Sequence, residues 1–213
     1  MRAKEPSAHD SSPIGPSGER PLLMVDIDGV ISLFGFPAHA LAGPRSARGT
    51  AALGLDGALN GALQTIDGIP HFLSRAAAAH LLRLAEDFDL VWCSGWEEKA
   101  EEYLPRLLGL PAGLPFLRFE RGLGAGAGAA DAGAGASAGA GAGAGRSISG
   151  HWKLDAIDTY AGTRALAWVD DALNDACHAW ADARPAPTLL VQTDPAVGLT
   201  AGEAETLVAW ATC

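Results

Sequence analysis

The chain has 213 residues, 48% of them hydrophobic, and carries a formal net charge of −10. This length and hydrophobic content predict one folded domain with a full core. The acidic balance disfavours a broad nucleic-acid-binding surface, since such surfaces are usually basic. Three cysteines without a Cys-x-x-Cys pair indicate a cytoplasmic protein rather than a disulfide scaffold. We expect no membrane partner, because no stretch approaches the roughly 18 unbroken apolar residues that a span needs.

Two segments are predicted to lie outside the folded core. Residues 1–20 are rich in Pro, Ser, Gly and charge, which predicts a disordered tail without the apolar run of a signal peptide. Residues 122–146 consist almost entirely of Gly and Ala, and we interpret them as a flexible insertion. They do not resemble a phosphate-binding glycine loop, because no predicted strand leads directly into them as the βαβ context of such a loop requires. The folded domain is therefore assigned to residues 21–213.

Strand and helix patterns alternate along this domain. Short apolar runs predict strands, and apolar residues with a helical period behind a capping side chain predict helices. Such alternation predicts an α/β fold with a mostly parallel, Rossmann-like sheet and helices on both faces. In chain order we predict a strand at 22–26, a helix from the cap Ser74 to Phe88, a strand at 90–93, a helix with a capping box at 94–97, a helix at 151–160 ended by Gly162, a strand at 165–169, a helix at 174–183, a strand at 188–192 and a helix behind a capping box at 200–203.

Two regions carry further expectations about the fold. Pro105 is expected to break the helix that follows residue 97 or to begin a second one. Residues 32–70 are rich in Gly, Ala and Pro, so we expect them to form only a small flap. The sequence therefore predicts no sizeable cap domain over the sheet.

Polar side chains follow three of the predicted strands. Asp26 and Asp28 come at the end of the first strand, where alternate residues face the same way. Ser94 follows the second strand, and Asp170 and Asp171 follow the third. Ligand sites of parallel α/β sheets lie outside the carboxyl ends of the strands. We therefore expect these five residues to lie at one edge of the sheet.

Carboxylates set this close together need a cation or a proton between them, which predicts a metal site, an acid/base site or both. Mg²⁺ suits carboxylate and carbonyl oxygens and is the expected cofactor. Lys153, which opens the helix before the third strand, adds an ammonium group. A calcium loop of the EF-hand type is disfavoured, because Gly29 comes too early and Pro37 stands where a Glu ligand belongs. Zinc is disfavoured because the Cys and His residues lack ligand spacing.

These residue types together can carry out phosphoryl transfer. Asp26 is the candidate nucleophile, and Mg²⁺ with Lys153 would offset the charge that repels it from a phosphate. Ser94 would donate to a phosphoryl oxygen, and Asp28 would protonate the leaving oxygen and then deprotonate the attacking water. Each residue also has an ordinary structural alternative. The acids can be solvated turn residues or helix caps, Ser94 a helix cap and Lys153 an exposed helix residue.

The order of these residues resembles the four motifs of the haloacid dehalogenase-like (HAD) superfamily over residues 22–193. The matching motifs are Asp26-x-Asp28-Gly-Val, Ser94, Lys153 and Asp170-Asp171. The resemblance implies a nucleophilic Asp26, an Asp28 of the kind found in phosphatases, and a Mg²⁺ bound by Asp26, the backbone carbonyl of Asp28 and an acid of the last motif. We favour Asp171 as that acid, with Asp170 as an alternate or supporting ligand. The tryptophans around Ser94 and Lys153 resemble those of an actinobacterial-type group in this superfamily, with a small cap or none and unassigned substrates.

The sequence thus predicts a Mg²⁺-dependent phosphatase that hydrolyses a phosphomonoester of unspecified class through an aspartyl-phosphate on Asp26. One alternative is a HAD-fold binding or regulatory module with little turnover. Another is a nucleic-acid end-processing phosphatase, which the acidic balance makes the least favoured. His71 and His151 are expected to be structural or surface residues, and Cys93 a buried packing residue.

Overall fold

The computed structural model of the chain describes residues 19–35, 60–119 and 150–212. The predicted tail, except its last two residues, and the whole Gly/Ala insertion lie outside the described residues. Within the described parts, no helix is both long enough and apolar enough to cross a membrane. In chain order the elements are β1 Leu22–Val25, β2 Ser32–Leu33, β3 Gly61–Ile66, β4 Ile69–Ser74, α1 Arg75–Leu84, β5 Asp89–Trp92, α2 Glu98–Leu108, α3 Leu154–Ala161, β6 Leu166–Asp170, α4 Asp175–Ala183, β7 Thr188–Gln192 and α5 Ala201–Ala211.

The predicted parallel sheet is confirmed: four strands pair in the order β5-β1-β6-β7, and all three pairings are parallel. Its inner strands are apolar because both faces are covered. Leu23 and Val25 of β1 belong to a core with residues of α1, α2 and α5, whereas Leu22 and Met24 belong to a second core with residues of α3 and α4. The result is a Rossmann-like α/β domain with helices flanking the sheet, as the strand and helix pattern predicted.

A second, antiparallel sheet in the order β2-β4-β3 was not predicted. Its hairpin turns at Asp67 and Gly68, which both have positive φ, and such turns match the twist of paired strands. Pro70 is tolerated in β4 because β2 pairs only with residues 72–73, which leaves this edge of β4 unpaired at Pro70, where no N–H is needed. The expected flap at 32–70 therefore contains a hairpin, and its residues 36–59 lie outside the described part of the chain.

Two predictions about α2 were wrong. Ser94 and Glu97 do not form a capping box, because α2 begins at Glu98 and its N-cap, Glu97, makes no side-chain capping bond. The Glu97 carboxylate instead accepts a hydrogen bond from the backbone N–H of Phe119 at 3.1 Å. Pro105 lies inside the helix and neither breaks it nor starts another, and α2 continues to a left-handed Gly109.

The other predicted helix caps are confirmed, although two helix bounds differ from the prediction. Ser74 caps α1 by accepting from the backbone N–H of Ala77, although this helix ends at Leu84 rather than Phe88. Asn174 caps α4, and the capping box of Thr200 and Glu203 is present at α5. The helix predicted at 151–160 starts later, at Leu154, and Gly162 is its C-cap as predicted. This later start leaves Lys153 as the N-cap residue, at the edge of the sheet.

Candidate functional site

Two aspartates lie side by side at the carboxyl edge of the central sheet. The Asp26 backbone N–H donates to the carbonyl of Val169 at 3.0 Å, which places Asp26 next to Asp170, the last residue of β6. Met24 and Trp168, two residues earlier on their strands, both belong to the core beneath α3 and α4. Since alternate strand residues share a face, Asp26 and Asp170 lie on that same face.

Lys153 joins these two acids. Its ammonium nitrogen lies 2.8 Å from Asp26 Oδ2 and 2.7 Å from Asp170 Oδ2. All three side chains are buried. The lysine is positioned by α3, because the buried Leu154 and Ile157 pack that helix on the sheet with its first turn at the strand ends. A buried ion pair is tolerated only when its remaining bonding groups are also satisfied.

Asp170 has those additional bonds. Its Oδ2 accepts from the indole N–H of Trp168 at 3.1 Å, and its Oδ1 accepts from the backbone N–H of Ala172 at 2.9 Å. A fully buried carboxylate thus receives bonds from an ammonium, an indole and an amide. Such a set satisfies both carboxylate oxygens and fixes the orientation of the Asp170 side chain.

Asp171 completes a group of three acids. It, Asp26 and Asp170 each offer a carboxylate oxygen, and these oxygens lie within 4.8 Å of one another. Its backbone carbonyl accepts from Gln192 Nε2 at 3.1 Å, and its side chain lies against Gly29. Burial raises the pKa of Asp171, and the negative charge of Asp170 adds to this rise. Asp26 of the first motif and both acids of the last motif therefore meet at the sheet edge.

Gly29→Ala should disturb this group directly. Gly29 has a φ of +74°, and a Cβ there would lie 2.4 Å from Cγ of Asp171. We expect a loss of at least about 1 kcal/mol in the free energy of unfolding from the backbone conformation alone, measured by urea denaturation. The same change at Gly68, whose φ is +82° but whose added Cβ meets nothing within 4 Å, is the matched control. Equal effects of both changes would contradict a tight contact between Gly29 and Asp171.

The electrostatics of the group favour a bound cation. Burial raises the pKa of Asp26 to about 7, with the ammonium of Lys153 opposing this rise and the charge of Asp170 adding to it. Burial acts to lower the pKa of Lys153, but the charges of Asp26 and Asp170 outweigh it, so the pKa lies above its ordinary value and the side chain stays an ammonium. When all three carboxylates are ionised, they and the one ammonium leave an excess of two negative charges.

The donor set fits Mg²⁺, which takes carboxylate oxygens at about 2.0–2.1 Å. Two oxygens around one such ion are at most about 4.2 Å apart. The spread of up to 4.8 Å in the described structure therefore needs only a small contraction. Thiol and imidazole ligands of the kind that zinc prefers are absent from this group of described residues.

Asp28 has different partners from Asp26. The strand ends at Val25, so the alternation of side chains does not continue to Asp28, and its half-exposed carboxylate lies outside the group of three acids. Asp28 Oδ2 accepts from the indole N–H of Trp96 at 2.9 Å. Its Oδ1 lies 4.0 Å from Nδ1 of His71, and that nitrogen is also 2.9 Å from the hydroxyl oxygen of Ser32. Asp28 is therefore held between the β5–α2 connection and the small antiparallel sheet.

Ser94 lies at the same edge, beyond β5. The backbone N–H of the preceding Cys93 donates to the carbonyl of Val25 at 2.8 Å, which brings residue 94 next to the start of the 26–29 loop. Ser94 is buried, and its backbone carbonyl accepts from Glu97 N–H at 3.0 Å. Cys93 is fully buried, as predicted, and burial raises the pKa of its thiol, which disfavours the reactive thiolate.

Sequence patterns did not reveal several residues that support the site. Trp168 and Trp96 donate to Asp170 and Asp28, and the Thr193 hydroxyl donates to the backbone carbonyl of Gly29 at 2.9 Å. An indole or hydroxyl donor has no characteristic spacing from its acceptor, so only the folded structure identifies these pairs. The concentration of tryptophans near residues 92–96 and 152–168 was the only available signal.

The fold and the site together define a class: a Rossmann-like α/β protein with a lysine-bridged aspartate group at the carboxyl edge of its sheet. Comparison with protein-family models, with curated proteins and with solved structures gave no match for this chain. Membership of the HAD superfamily therefore stays a prediction, based on the order of the motifs.

Proposed function

We propose that this protein is a Mg²⁺-dependent phosphomonoesterase of the HAD type, with Asp26 as its nucleophile. The observation that supports it most is the buried Lys153, whose ammonium contacts Asp26 and Asp170 at 2.8 Å and 2.7 Å. A structural ion pair requires only one acid to balance the charge of a lysine. Lys153 instead contacts two acids, and a third, Asp171, lies beside Asp26 and Asp170. Such an excess of buried negative charge is costly to fold and indicates a functional site.

The proposed reaction has two displacements. A carboxylate oxygen of Asp26 attacks phosphorus, the bond to the leaving oxygen breaks, and Asp28 gives that oxygen a proton. Asp28 then takes a proton from water, the water oxygen attacks the aspartyl-phosphate, and inorganic phosphate and free Asp26 are released. The partly exposed position of Asp28 suits an acid/base that must reach both the leaving group and water.

Lys153 and Ser94 would bind the phosphoryl group. The ammonium next to Asp26 offsets the repulsion between a carboxylate and a phosphate dianion. Ser94 would donate its hydroxyl to a phosphoryl oxygen from the end of β5. The carboxylates of Asp26, Asp170 and Asp171 and the backbone carbonyl of Asp28 would hold Mg²⁺, which supplies further charge neutralisation when bound.

Access to the site is part of the proposal. Among the described elements, the small antiparallel sheet lies on the Asp28 side, with His71 and Ser32 near the Asp28 carboxylate. The hairpin tip is tied to α2, where Lys99 and Tyr103 both bond to Asp67. We propose that this hairpin is a small flap and that the site has no sizeable cap domain.

The proposal is tested with purified protein and a generic aryl phosphate across a range of Mg²⁺ concentrations and pH. Hydrolysis should require Mg²⁺ and stop with a chelator. Because a proton and the cation compete for Asp26, whose pKa burial raises to about 7, the half-saturating Mg²⁺ concentration should fall as pH rises. We expect a fall of up to about ten-fold per pH unit below pH 7 and little change above pH 8.

Two results would count against the proposal. Hydrolysis that continues at the same rate in the presence of a chelator would contradict the proposed role of Mg²⁺. No hydrolysis of any phosphomonoester, combined with Mg²⁺-dependent stabilisation by a fluoride mimic of phosphate, would favour the binding or regulatory module instead. Thermal unfolding with and without that mimic gives the second measurement.

A further inference from the structure

A cavity of about 610 Å³ opens beside the candidate site, between residues 116–119 and the outer face of α3. Pockets of this size hold small organic ligands. Residues 116–119 are fixed beside β5, because the backbone N–H groups of Trp92 and Leu117 donate to the carbonyls of Pro115 and Trp92. The other wall begins at Trp152 and runs along α3 to Tyr160. The cavity therefore has aromatic residues at both ends of its α3 wall.

Trp152 connects this cavity to the proposed chemistry. The Lys153 ammonium lies 5.1 Å from the centre of the Trp152 ring, and the same ammonium contacts Asp26. A Cβ on Gly95, next to Ser94, would lie 3.8 Å from the far end of that ring. One indole thus reaches from the lysine to the loop that follows β5, where the phosphoryl group would bind.

The aromatic wall is unusually exposed. The Trp152 side chain is 59% exposed and Tyr160 is 44% exposed, although large aromatic residues usually bury most of their surface. Phe119 meets Trp152 edge to face at 4.5 Å between ring centres, so the indole is supported in position. An exposed but positioned indole beside a cavity indicates a stacking surface for a planar ring.

The charges around the cavity exclude a polyanionic occupant. Arg118 is the basic residue on its described wall, and it is 3.4 Å from the carboxylate of Glu98. Asp155 adds a negative charge to the opposite wall. A nucleic-acid strand would need several basic contacts to its phosphates. A single small molecule with one phosphate, bound at the sheet edge, has no such requirement.

We propose that the substrate is a small phosphomonoester with a planar aromatic ring in its leaving group, and that this ring stacks on Trp152 in the cavity. A nucleoside monophosphate and an aryl phosphate both have this chemistry. The kinetic test of this inference rests on the proposed phosphatase function. A binding test, which needs no turnover, examines the aromatic site by itself.

The kinetic test compares a nucleoside monophosphate, an aryl phosphate and glycerol phosphate as substrates. In Trp152→Ala, kcat/KM for the two aromatic substrates should fall relative to glycerol phosphate by about 5- to 150-fold, the range found for loss of one stacking aromatic. Trp152→Phe should restore most of the preference. Leu82→Ala is the matched control, since Leu82 is 42% exposed on α1, which packs on the other face of the sheet. Of the two aromatic substrates, the one whose kcat/KM falls further in Trp152→Ala shows whether the ring belongs to a nucleoside or to an aryl group.

The binding test uses adenosine and 4-nitrophenol, which carry no phosphate, with ribose and glycerol as non-aromatic controls. Ligand-induced shifts in the NMR spectrum should be seen for the aromatic ligands in wild type and Leu82→Ala and be lost in Trp152→Ala. Binding of this kind without any phosphatase activity would overturn the proposed function and leave the aromatic site standing. Activity with the same substrate preference in wild type and Trp152→Ala, and no aromatic binding, would overturn the aromatic site alone.

Discussion

Asp26→Asn should abolish Mg²⁺-dependent phosphatase activity, with kcat lowered by about 10⁴-fold or more, as expected when a covalent nucleophile is removed. An amide oxygen is too weak a nucleophile to form the acyl phosphate. The exchange keeps the shape of the side chain, and the amide oxygen can still accept a hydrogen bond from Lys153, which now lies 2.8 Å from Asp26 Oδ2. The variant should therefore stay folded, and circular dichroism and thermal unfolding would check this.

The matched control is Asp182→Asn, the same chemical change at an exposed position near the end of α4. Its kcat should equal that of the wild type. A second measurement uses rapid acid quenching with a radiolabelled phosphomonoester. Wild-type protein should retain label as an acid-stable acyl phosphate, and Asp26→Asn should retain none. Full activity of Asp26→Asn would show that Asp26 is not the nucleophile.

Lys153→Met should unfold more easily than the wild type by about 3–5 kcal/mol, the cost of leaving buried charge without its partner. Asp26 and Asp170 would lose the ammonium that lies between them, and both carboxylates are buried. The flexible, apolar Met side chain fills the space of the lysine stem. The decrease in the free energy of unfolding therefore reports the missing charge rather than a cavity. Urea denaturation gives the difference in the free energy of unfolding.

Lys99→Met is the control for this experiment. Lys99 also forms an ion pair, with Asp67, but both side chains are about half exposed, and exposed pairs contribute little to stability. The double variant Lys153→Met with Asp170→Asn should regain part of the lost stability, because one orphaned charge is removed, and should regain no activity. A stability loss for Lys153→Met no larger than that for Lys99→Met would contradict the buried charge network.

The sequence predicted the central sheet well where strands are short, apolar and buried on both faces. The predicted strand at 188–192 has the same bounds as β7, and the predicted strand at 165–169 differs from β6 by one residue at each end. That shift matters, because it makes Asp170 the last residue of the strand and directs its side chain to the face that carries Asp26. Strand ends depend on pairing with neighbours, which sequence periodicity does not contain.

Predictions from single residues with a strong local preference were less successful. Pro105 was expected to break a helix or begin a second one, yet it lies inside α2, and Pro70, in a segment expected to be a small flap, lies in a strand. The tertiary context decides such cases, since an unpaired edge makes the missing N–H of Pro70 harmless. Glu97 matched a capping box but bonds instead to the backbone of Phe119, a partner 22 positions away in sequence.

The acids and the lysine of the site were predicted because strand ends and their order are visible in sequence. Their roles and the metal stay predictions. The supporting indoles of Trp96 and Trp168 were not predicted, since each lies two residues from a strand-end motif and nothing in that spacing marks a hydrogen bond to a carboxylate. His71 was expected to be structural or on the surface, and its position 4.0 Å from Asp28 results from the unpredicted hairpin.

The central place of β1 has a consequence for the order of folding during synthesis. Although it comes first among the described strands, β1 pairs with β5 on one side and β6 on the other. Lys153 and β6 are made long after Asp26, so a nascent chain that stops before them has an unpaired strand edge and an acid without its cation. β1 can therefore be paired on both sides only after β6 has been made, and the group of Asp26, Lys153 and Asp170 is completed at the same point.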